Sequence, residues 1–147
     1  MINGGEVYLF NTADGGDINV VNGITETRAG LETAAYLSMF GGNAEDDASE
    51  NKTKQFWGNL LETQPSKQYR SKTQYILSGL PATASNLLKL ERAVNEDLKW
   101  MLETGVSSKI EVKASIPSLN RVEILVTITA KGAPSSFNFY LNWIYSV

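Results

Sequence analysis

The hydrophobic period of this chain changes at Gly105, and that change constrains the fold more than any other feature of the sequence. Along residues 83–103 apolar side chains recur every three or four positions, as on one face of an α-helix. From residue 108 to residue 146, apolar and polar residues alternate in three runs, as in strands that bury one face. Turn sequences at residues 117–120 and 131–134 separate the runs. We therefore predict a long helix packed on a three-stranded antiparallel meander.

The predicted long helix has an apolar stripe, a polar face and a signal at each end. Thr83 or Ser85, just after Pro81, is placed to cap its first turn, and Gly105 is a natural stop. The stripe consists of Leu87, Leu90, Val94, Leu98 and Met101. The opposite face carries Lys89, Arg92, Asn95, Glu96 and Lys99. This amphipathic pattern predicts that the helix covers the apolar face of the meander.

The first half of the chain predicts shorter elements. Residues 6–27 contain β-rich runs separated by turn formers, among them Asn22-Gly23, and predict short strands. A helix is predicted over residues 29–40, ended by Gly41-Gly42 because glycine accepts the left-handed conformation of a C-cap. A loop at residues 41–59 and a short helix at residues 67–77, stopped by Gly79 and Pro81, follow. No linker divides the chain, so we predict one α+β domain over residues 1–147.

Composition excludes several classes of function. The 147 residues, 42% hydrophobic, suffice for one core without disulfides or metals. The sequence has no cysteine and no histidine, which rules out thiol nucleophiles, zinc thiolate sites and a Ser-His-Asp triad. A net charge of -3 gives no support for nucleic-acid binding. Without an 18-residue apolar run or a basic N-terminus, we expect no membrane span, no signal peptide, and synthesis in a cytoplasm.

Acidic residues are the remaining candidates for chemistry, and each group has a simpler interpretation. We interpret Asp14 with Asp17 as part of a turn. We interpret Glu45, Asp46, Asp47 and Glu50 as part of a solvated loop, and Glu91, Glu96 and Glu103 as part of a solvated helix face. None has the ligand ladder of a calcium loop or the paired geometry that glycoside hydrolysis requires. The sequence therefore predicts no catalytic, cofactor-binding or metal-binding residue.

Adjacent aromatic residues follow the predicted loop. Residues 41–55 contain no apolar side chain larger than alanine, yet they lead directly to Phe56-Trp57-Gly58. Two interpretations stay open: the aromatic pair anchors the loop to its own core, or it forms a binding hot spot for another chain.

The last predicted strand is a second candidate contact. Its inward face includes Trp143, but its other face also carries the large side chains Tyr140 and Ile144. A strand buried on one side only is normally polar on the other. We therefore predict that this second face, or the free edge of the strand, contacts another chain, and we count Tyr140, Trp143 and Ile144 among the candidate interface residues.

Several segments, in order, resemble the Mu-like phage baseplate wedge protein family. They are residues 31–40 (LETAAYLSMF), the Asp46-Asp47 pair, and Phe56-Trp57-Gly58-Asn59. Gly16-Asp17-Ile18 fits the opening strand of that family, and residues 93–105 (AVNEDLKWMLETG) resemble the end of its helix. The last match adds Trp100 and Gly105 to the candidate interface residues.

The resemblance implies a structural role in a contractile tail. The family is related to the T-even phage sheath initiator, which lies in six copies around the tail hub, joins wedge subunits and offers a strand to the sheath. The implied partners are other baseplate wedge proteins, the tail sheath and the tail hub or tube proteins, with no nucleic acid and no membrane. The implied location is the virion baseplate or a phage-tail-like particle, assembled in the host cytoplasm.

The sequence also departs from that family. Phe56-Trp57 stands where the family has two tryptophans, and residues 104–109 replace the Glu-Pro-Arg triplet that ends the long helix in the T-even branch. That triplet's contact is therefore not transferred to this chain. Two other functions stay open: a peptidoglycan hydrolase, as in a tail lysozyme, and a small cytoplasmic adaptor of the same fold.

Overall fold

The computed structural model describes residues 6–12, 15–28, 31–41, 54–55, 59, 61–64, 68 and 70–143. Within these residues the fold is α+β, as predicted, with helices and exclusively antiparallel strand pairs. The helices are α1 (Glu32–Phe40), α2 (Lys72–Gly79) and α3 (Ala84–Glu103). The long strands are β9 (Lys109–Ser118), β10 (Arg121–Ala130) and β11 (Ala133–Asn142). Eight short strands precede them: β1 (Glu6–Val7), β2 (Leu9–Thr12), β3 (Gly15–Ile18), β4 (Val20–Val21), β5 (Ile24–Thr25), β6 (Thr27–Arg28), β7 (Lys54–Gln55) and β8 (Arg70–Ser71).

The three-stranded meander is confirmed, with strand order β11-β10-β9. The alternating residues of the central strand are fully buried: Val122, Ile124, Val126 and Ile128. The turn between β10 and β11 consists of Lys131 and Gly132, with φ of 52° and 77°. Positive φ at both positions matches the twist of the flanking strands, which makes this two-residue turn favourable in a hairpin.

The predicted turn at residues 117–120 begins too early. β9 continues through Pro117 to Ser118, and only Leu119 and Asn120 form the turn. The register shifts by one residue between the Arg121–Ser118 and Glu123–Ser115 pairs, so a β-bulge lies here. Pro117 is compatible with this strand because a bulge does not require its missing N–H.

Helix α3 covers the meander as predicted. Leu90, Val94, Leu98 and Met101 are fully buried in one cluster with the inward residues of the sheet, and Leu87 packs against that cluster. The predicted polar face, from Lys89 to Lys99, is exposed. Each such buried side chain contributes at most about 1.5–3 kcal/mol relative to an extended unfolded chain. The stripe is therefore the main attachment of the helix.

The ends of α3 agree with the prediction, although the N-cap contact differs. Thr83 is the N-cap residue, but its Oγ1 lies 3.1 Å from Ser85 Oγ and accepts no backbone N–H. Gly105 follows the helix with φ of 74°. A β-carbon would strain this left-handed backbone, which explains why glycine ends the helix.

Helix α1 ends at Phe40 as predicted, and Gly41 itself does not adopt the left-handed conformation expected of the Gly41-Gly42 pair. Gly41 has φ of −77°, in the right-handed region, and donates its N–H to the Leu37 carbonyl at 2.7 Å. A β-carbon on Gly41 would lie 2.4 Å from that same oxygen. Close approach of two backbone segments, and not handedness, therefore requires glycine here. Gly42 and residues 29–30 lie outside the described residues.

Helix α2 is displaced from its predicted bounds of residues 67–77. It begins at Lys72, because Ser71 Oγ accepts the N–H of Gln74 at 3.0 Å and so caps the first turn. Residues 70–71 form strand β8, which pairs with β7 inside the predicted loop at residues 41–59. The helical spacing of apolar residues at positions 69–77 did not indicate that the helix begins at Lys72.

The predicted short N-terminal strands are present, and they form three antiparallel ladders that meet at one point. Ladders β1–β6, β2–β3 and β4–β5 converge on Tyr8, Asn19 and Glu26. The N–H of Tyr8 donates to the Glu26 carbonyl at 2.9 Å, and the N–H of Glu26 donates to the Asn19 carbonyl at 2.8 Å. The N–H of Asn19 closes the ring to the Tyr8 carbonyl at 3.4 Å. We call residues 6–28 the three-way junction.

The side chain of Thr33 attaches the three-way junction to helix α1. Thr33 Oγ1 donates to the Val7 carbonyl at 2.5 Å and accepts the N–H of Leu9 at 3.1 Å. Thr33 is buried in the first turn of α1. The hydroxyl therefore joins a helix to both strands of the junction that enter and leave Tyr8.

Candidate interaction surface

Four of the predicted interface residues, Phe56, Trp57, Gly58 and Ile144, lie outside the described residues. The same holds for Asp14 and the acidic group from Glu45 to Glu50. The two interpretations of the Phe56-Trp57 pair therefore both stand. The remaining four candidates are Trp100, Gly105, Tyr140 and Trp143.

Trp143 belongs to the core and is withdrawn as an interface candidate. Its side chain is fully buried in the cluster shared by α3 and the meander. The indole Nε1–H donates to the Leu80 carbonyl at 2.8 Å. This bond satisfies the polar end of a buried ring and ties the end of the meander to the segment between α2 and α3.

Trp100 and Gly105 lie together at the C-terminal end of α3. Trp100 is partly exposed, and its Nε1–H donates to Ser38 Oγ of α1 at 2.9 Å. Its carbonyl accepts the N–H of Thr104 at 2.9 Å, and Gly105 donates its N–H to the Leu102 carbonyl at 3.2 Å. Trp100 thus combines a structural bond to α1 with an accessible ring edge. Both residues are available to a partner, as the prediction requires.

Tyr140 is exposed on the outward face of β11, where the sequence placed it. Its hydroxyl donates to Glu123 Oε1 of β10 at 3.1 Å, and this hydrogen bond and the carboxylate charge raise the pKa of Tyr140. The neighbouring outward positions of β11 are polar: Ser136, Asn138 and Asn142. Ser136 pairs with Thr127 at 2.9 Å, and Asn142 Oδ1 accepts from Arg121 at 3.0 Å. Within the described part of β11, the second face is therefore polar apart from Pro134 and Tyr140.

An apolar surface that the sequence reading missed lies on the three-way junction. Ile18, Val20, Val21 and Ile24 have exposed fractions of 47, 56, 53 and 73%. We call these four residues the apolar hairpin surface. Val21 and Ile24 are direct cross-strand partners next to the Asn22-Gly23 turn, whose φ values of 52° and 76° are both positive. One sequence feature could have predicted this surface: valine and isoleucine stand on both sides of an Asn-Gly turn without alternating polar residues.

The apolar hairpin surface differs from ordinary scattered surface residues. Successive side chains of a strand point to opposite faces, so Val20 and Val21 expose both faces of the β4–β5 hairpin. Isolated apolar residues on a surface are normal, but Val21 and Ile24 are cross-strand partners and lie side by side on one face of the hairpin. An isolated two-stranded hairpin is also marginally stable in water. Both observations make this hairpin a candidate contact site.

Asp97 is a buried carboxyl that the sequence reading also missed. It lies three residues after Val94 and four before Met101, inside the apolar stripe of α3. Its Oδ1 accepts the N–H of Lys72 at 2.9 Å. Its Oδ2 accepts the N–H of Thr73 at 2.9 Å and the Thr73 hydroxyl at 2.7 Å. The sequence feature that could have predicted this role is a charged residue within the apolar stripe, because a buried carboxylate is tolerated only when other groups pair with it.

Burial raises the pKa of Asp97 to about 6, although its hydrogen bonds and the Lys72 charge oppose the change. A carboxyl with a raised pKa is a candidate general acid. Here both oxygens face the first turn of α2, where they satisfy N–H groups that the helix leaves unpaired. The geometry therefore supports a structural role, joining α2 to α3.

The acids predicted to be solvated on α3 divide into two kinds. Glu96 pairs with Lys72, and Glu103 pairs with Lys99 at 2.9 Å, both at exposed positions. Glu91 was assigned wrongly to the solvated face: its Oε1 accepts the N–H of Ala114 in β9 at 2.9 Å. Because β9 is the first edge of the meander, this carboxylate binds a strand N–H that lacks a strand neighbour.

Among the described residues, no group of three or more acidic side chains is arranged to hold a metal ion. No helix in that part of the chain is long and apolar enough to cross a membrane. Comparison with known proteins found no match: no family model, curated protein or solved structure is significantly similar to this chain.

Proposed function

We propose that this protein is a structural component of a contractile tail baseplate, where it joins wedge subunits to the tail hub and initiates sheath assembly. The proposal rests on the family resemblance of residues 16–18, 31–59 and 93–105, and on surfaces suited to binding other chains. The observation that carries the protein-binding part is the apolar hairpin surface. The proposed partners are other wedge proteins, the sheath, and the hub or tube proteins.

The apolar hairpin surface suits an assembly protein for a thermodynamic reason. Its four aliphatic side chains stay in water in the isolated chain, and each Å² covered by a partner contributes about 25 cal/mol. The β4–β5 ladder contains only two residue pairs, so a partner also supplies stability that the hairpin lacks alone. Residues in this position favour a stable, buried contact within a particle over transient encounters.

A hydrolase has less support. The carboxyl whose raised pKa would suit a general acid, Asp97, is committed to the N-terminus of α2. An adaptor role draws on the same surfaces as the baseplate role, so only its partners distinguish it. The proposal is therefore tested in particles, and not by activity alone.

The direct test is mass spectrometry of purified contractile particles from a strain that carries this gene, with copy number measured against the sheath subunit. We expect a few copies per particle, near the sixfold stoichiometry of a baseplate ring. A matched pair of variants refines the result. Ile24→Lys places a charge on the apolar hairpin surface, whereas Leu119→Lys changes a residue that is 87% exposed in the meander turn.

We expect both variants to fold with unchanged circular dichroism, and only Ile24→Lys to be depleted from particles. Absence of the native protein from intact particles would refute the baseplate role. Full incorporation of Ile24→Lys would show that the hairpin is not the contact. Turnover of peptidoglycan by the purified protein would replace the proposal with the hydrolase.

A further inference from the structure

The turn at the tip of the β4–β5 hairpin places a side-chain amide directly before a glycine nitrogen. Asn22 and Gly23 are both exposed, with φ values of 52° and 76°. Val21 and Ile24 are direct cross-strand partners, so Asn22 and Gly23 alone form the turn. An amide carbon and the backbone nitrogen that follows it therefore lie together at a surface in contact with water.

We propose that Asn22 is a site of spontaneous deamidation, which gives the apolar hairpin surface a negative charge. The Gly23 nitrogen attacks Cγ of Asn22, so that a new C–N bond forms and the bond from Cγ to Nδ2 breaks. The proton of the Gly23 N–H leaves with Nδ2 as ammonia, and a cyclic succinimide remains. Water then opens the ring at either carbonyl. One water enters and one ammonia leaves, so the reaction needs no oxidant, reductant or enzyme.

The two ways of opening the ring give different products. Hydrolysis of the side-chain carbonyl gives aspartate, which changes the charge alone. Hydrolysis of the main-chain carbonyl gives isoaspartate, in which the backbone runs through Cβ and Cγ and gains one atom. The two-residue turn depends on the φ values of Asn22 and Gly23, so the added atom disrupts it. Both products place a carboxylate between Val21 and Ile24.

Glycine at position 23 leaves its nitrogen accessible for this attack, because it has no β-carbon to crowd the reacting atoms. The surrounding space is open, since a β-carbon placed on Gly23 would meet no other atom within 4 Å. Among the described residues, no group forms a hydrogen bond with the Asn22 side chain or with the Gly23 N–H. The two reacting groups are therefore not held by other bonds.

The attack also requires the hairpin to open, because the closed turn fixes the backbone at Asn22. The β4–β5 ladder has only two residue pairs. Its side chains Val20, Val21 and Ile24 are exposed, so little packing is lost when it opens. Hairpins this short are marginally stable in water, and local opening costs little where few buried contacts break. The fold therefore leaves Asn22 reactive in the native chain.

A second asparagine with the same backbone handedness is the internal control. Asn120, in the turn between β9 and β10, is exposed and has φ of 57°. The residue after it is Arg121, whose side chain crowds the attacking nitrogen. The Asn120 carbonyl also accepts the N–H of Trp143 at 2.7 Å, and the flanking strands have ten residues each. We therefore expect Asn120 to stay intact while Asn22 reacts.

The reaction does not depend on the baseplate proposal, because it takes place in the isolated chain. Its consequence for binding, the loss of the apolar contact in aged chains, rests on that proposal. The rate of deamidation in purified protein therefore tests this inference alone, whereas incorporation of Ile24→Lys into particles tests the contact.

The test is incubation of the purified full chain in water enriched in oxygen-18, followed by digestion in ordinary water and tandem mass spectrometry. Hydrolysis of the succinimide adds a labelled oxygen to residue 22. We expect Asn22 to react at least about tenfold faster than Asn120, because glycine leaves its nitrogen accessible. We expect the rate in the native chain to lie within about tenfold of the rate in guanidinium-unfolded chain, because the hairpin opens at low cost.

Variants separate the chemical steps. Gly23→Ala places a β-carbon beside the nitrogen and is expected to slow the reaction about tenfold, even though it weakens the turn. Asn22→Gln keeps an amide, but its additional methylene requires a larger ring, so no labelled oxygen is expected at this position. Freshly purified Asn22→Asp carries the charge without the added main-chain atom. The NMR contact between the α-protons of Val20 and Thr25 should persist in Asn22→Asp and disappear in the isoaspartate chain.

Three outcomes would overturn the proposal. The first is a rate at Asn22 that is more than about tenfold lower in the native chain than in the unfolded chain, which would show that the fold protects the turn. The second is labelling of Asn120 as fast as that of Asn22, which would show that Gly23 confers no selectivity. The third is a persistent contact between Val20 and Thr25 in the isoaspartate chain, which would show that the product leaves the hairpin intact.

Discussion

The three-way junction and the meander use the same antiparallel pairing, but they differ in what the pairing covers. Strands of the junction have two to four residues, whereas β9, β10 and β11 have ten each. The meander buries one face under α3, with Ile124 and Val126 inaccessible to solvent. The junction leaves Val20, Val21 and Ile24 exposed. Hydrogen-bonded ladders therefore do not by themselves make a stable unit; coverage of an apolar face does.

Turn chemistry does not explain this difference. Both the β4–β5 hairpin and the β10–β11 hairpin have two-residue turns in which both φ values are positive. Each turn places glycine second, at Gly23 and Gly132. Equivalent local signals thus produce one hairpin inside a core and one outside it, because helix α3 covers the inward face of the meander and leaves the β4–β5 hairpin exposed.

The largest expected difference comes from truncating isoleucine in each region. Ile124→Ala should lower the free energy of unfolding by about 2–5 kcal/mol, because it leaves a cavity in a closely packed core. Ile24→Ala should change it by no more than about 0.5 kcal/mol, because the side chain is already in water. Urea denaturation of both variants measures the contrast. Equal losses would mean that the junction carries as much of the stability as the meander.

The pH dependence of stability tests the polar attachment of α2 to α3. The pKa of Asp97 is about 6 in the folded chain and near 3.8 when unfolded. Between these values the folded chain keeps a proton that the unfolded chain has lost, so this contribution is complete below pH 4 and disappears as pH rises through 6. The difference in pKa corresponds to roughly 3 kcal/mol.

The variant Asp97→Asn isolates this effect, since asparagine does not titrate. We expect the stability of the native chain, relative to the variant, to fall as pH rises from 4 to 7 in urea titrations. A relative stability that is flat over this range, or that rises, would show that the hydrogen bonds to Lys72 and Thr73 outweigh burial.

A smaller contrast is expected at the two matched glycines. Gly132→Ala should cost about 1–2 kcal/mol, because alanine resists a φ of 77° and the hairpin belongs to the cooperative core. Gly23→Ala carries the same local strain but should barely change global unfolding, because the β4–β5 ladder can open alone. Thermal unfolding followed by circular dichroism compares the pair. A similar loss from Gly23→Ala would place the junction in the same cooperative unit.

The smallest effect is expected where the three-way junction is attached to helix α1. Thr33→Val removes the hydroxyl that binds the Val7 carbonyl and the Leu9 N–H, at a cost of about 1 kcal/mol. Native-state hydrogen exchange should accelerate at Leu9 while the amide of Val126 stays protected. Ser78→Ala, which removes an exposed hydroxyl in α2, is the control. Equal acceleration at both amides would show that Thr33 supports the whole fold and not a local attachment.

The hydrophobic period and the turn residues were sufficient to predict the regular part of the fold. The sequence predicted the stripe of α3, the alternation of the meander and the end of the helix at Gly105. Each of these features depends on residues within one or two turns of chain. The exposed position of Tyr140 was predicted from the same alternation, whereas Trp100 was selected by the family resemblance. Local periodicity says which face is apolar, and that was enough to predict that α3 covers the meander.

Features that depend on contacts between residues far apart in the sequence could not be predicted. Trp143 was counted among the interface candidates because its strand carries aromatic residues on both faces, but the structure shows that its indole Nε1–H donates to the carbonyl of Leu80. Glu91 was assigned to solvent, whereas the Ala114 N–H lies opposite it in the folded chain. The start of α2 depends on Asp97, which is 25 positions away from Lys72.

Periodicity and turn residues act locally, so the α+β class, the bounds of the long helix and the pairing of the last three strands follow from the sequence alone. The folded structure is needed to show which polar groups find buried partners and which hairpin stays uncovered. Those outcomes depend on the distance between side chains that the sequence separates widely, since desolvation and hydrogen bonding act between neighbours in space.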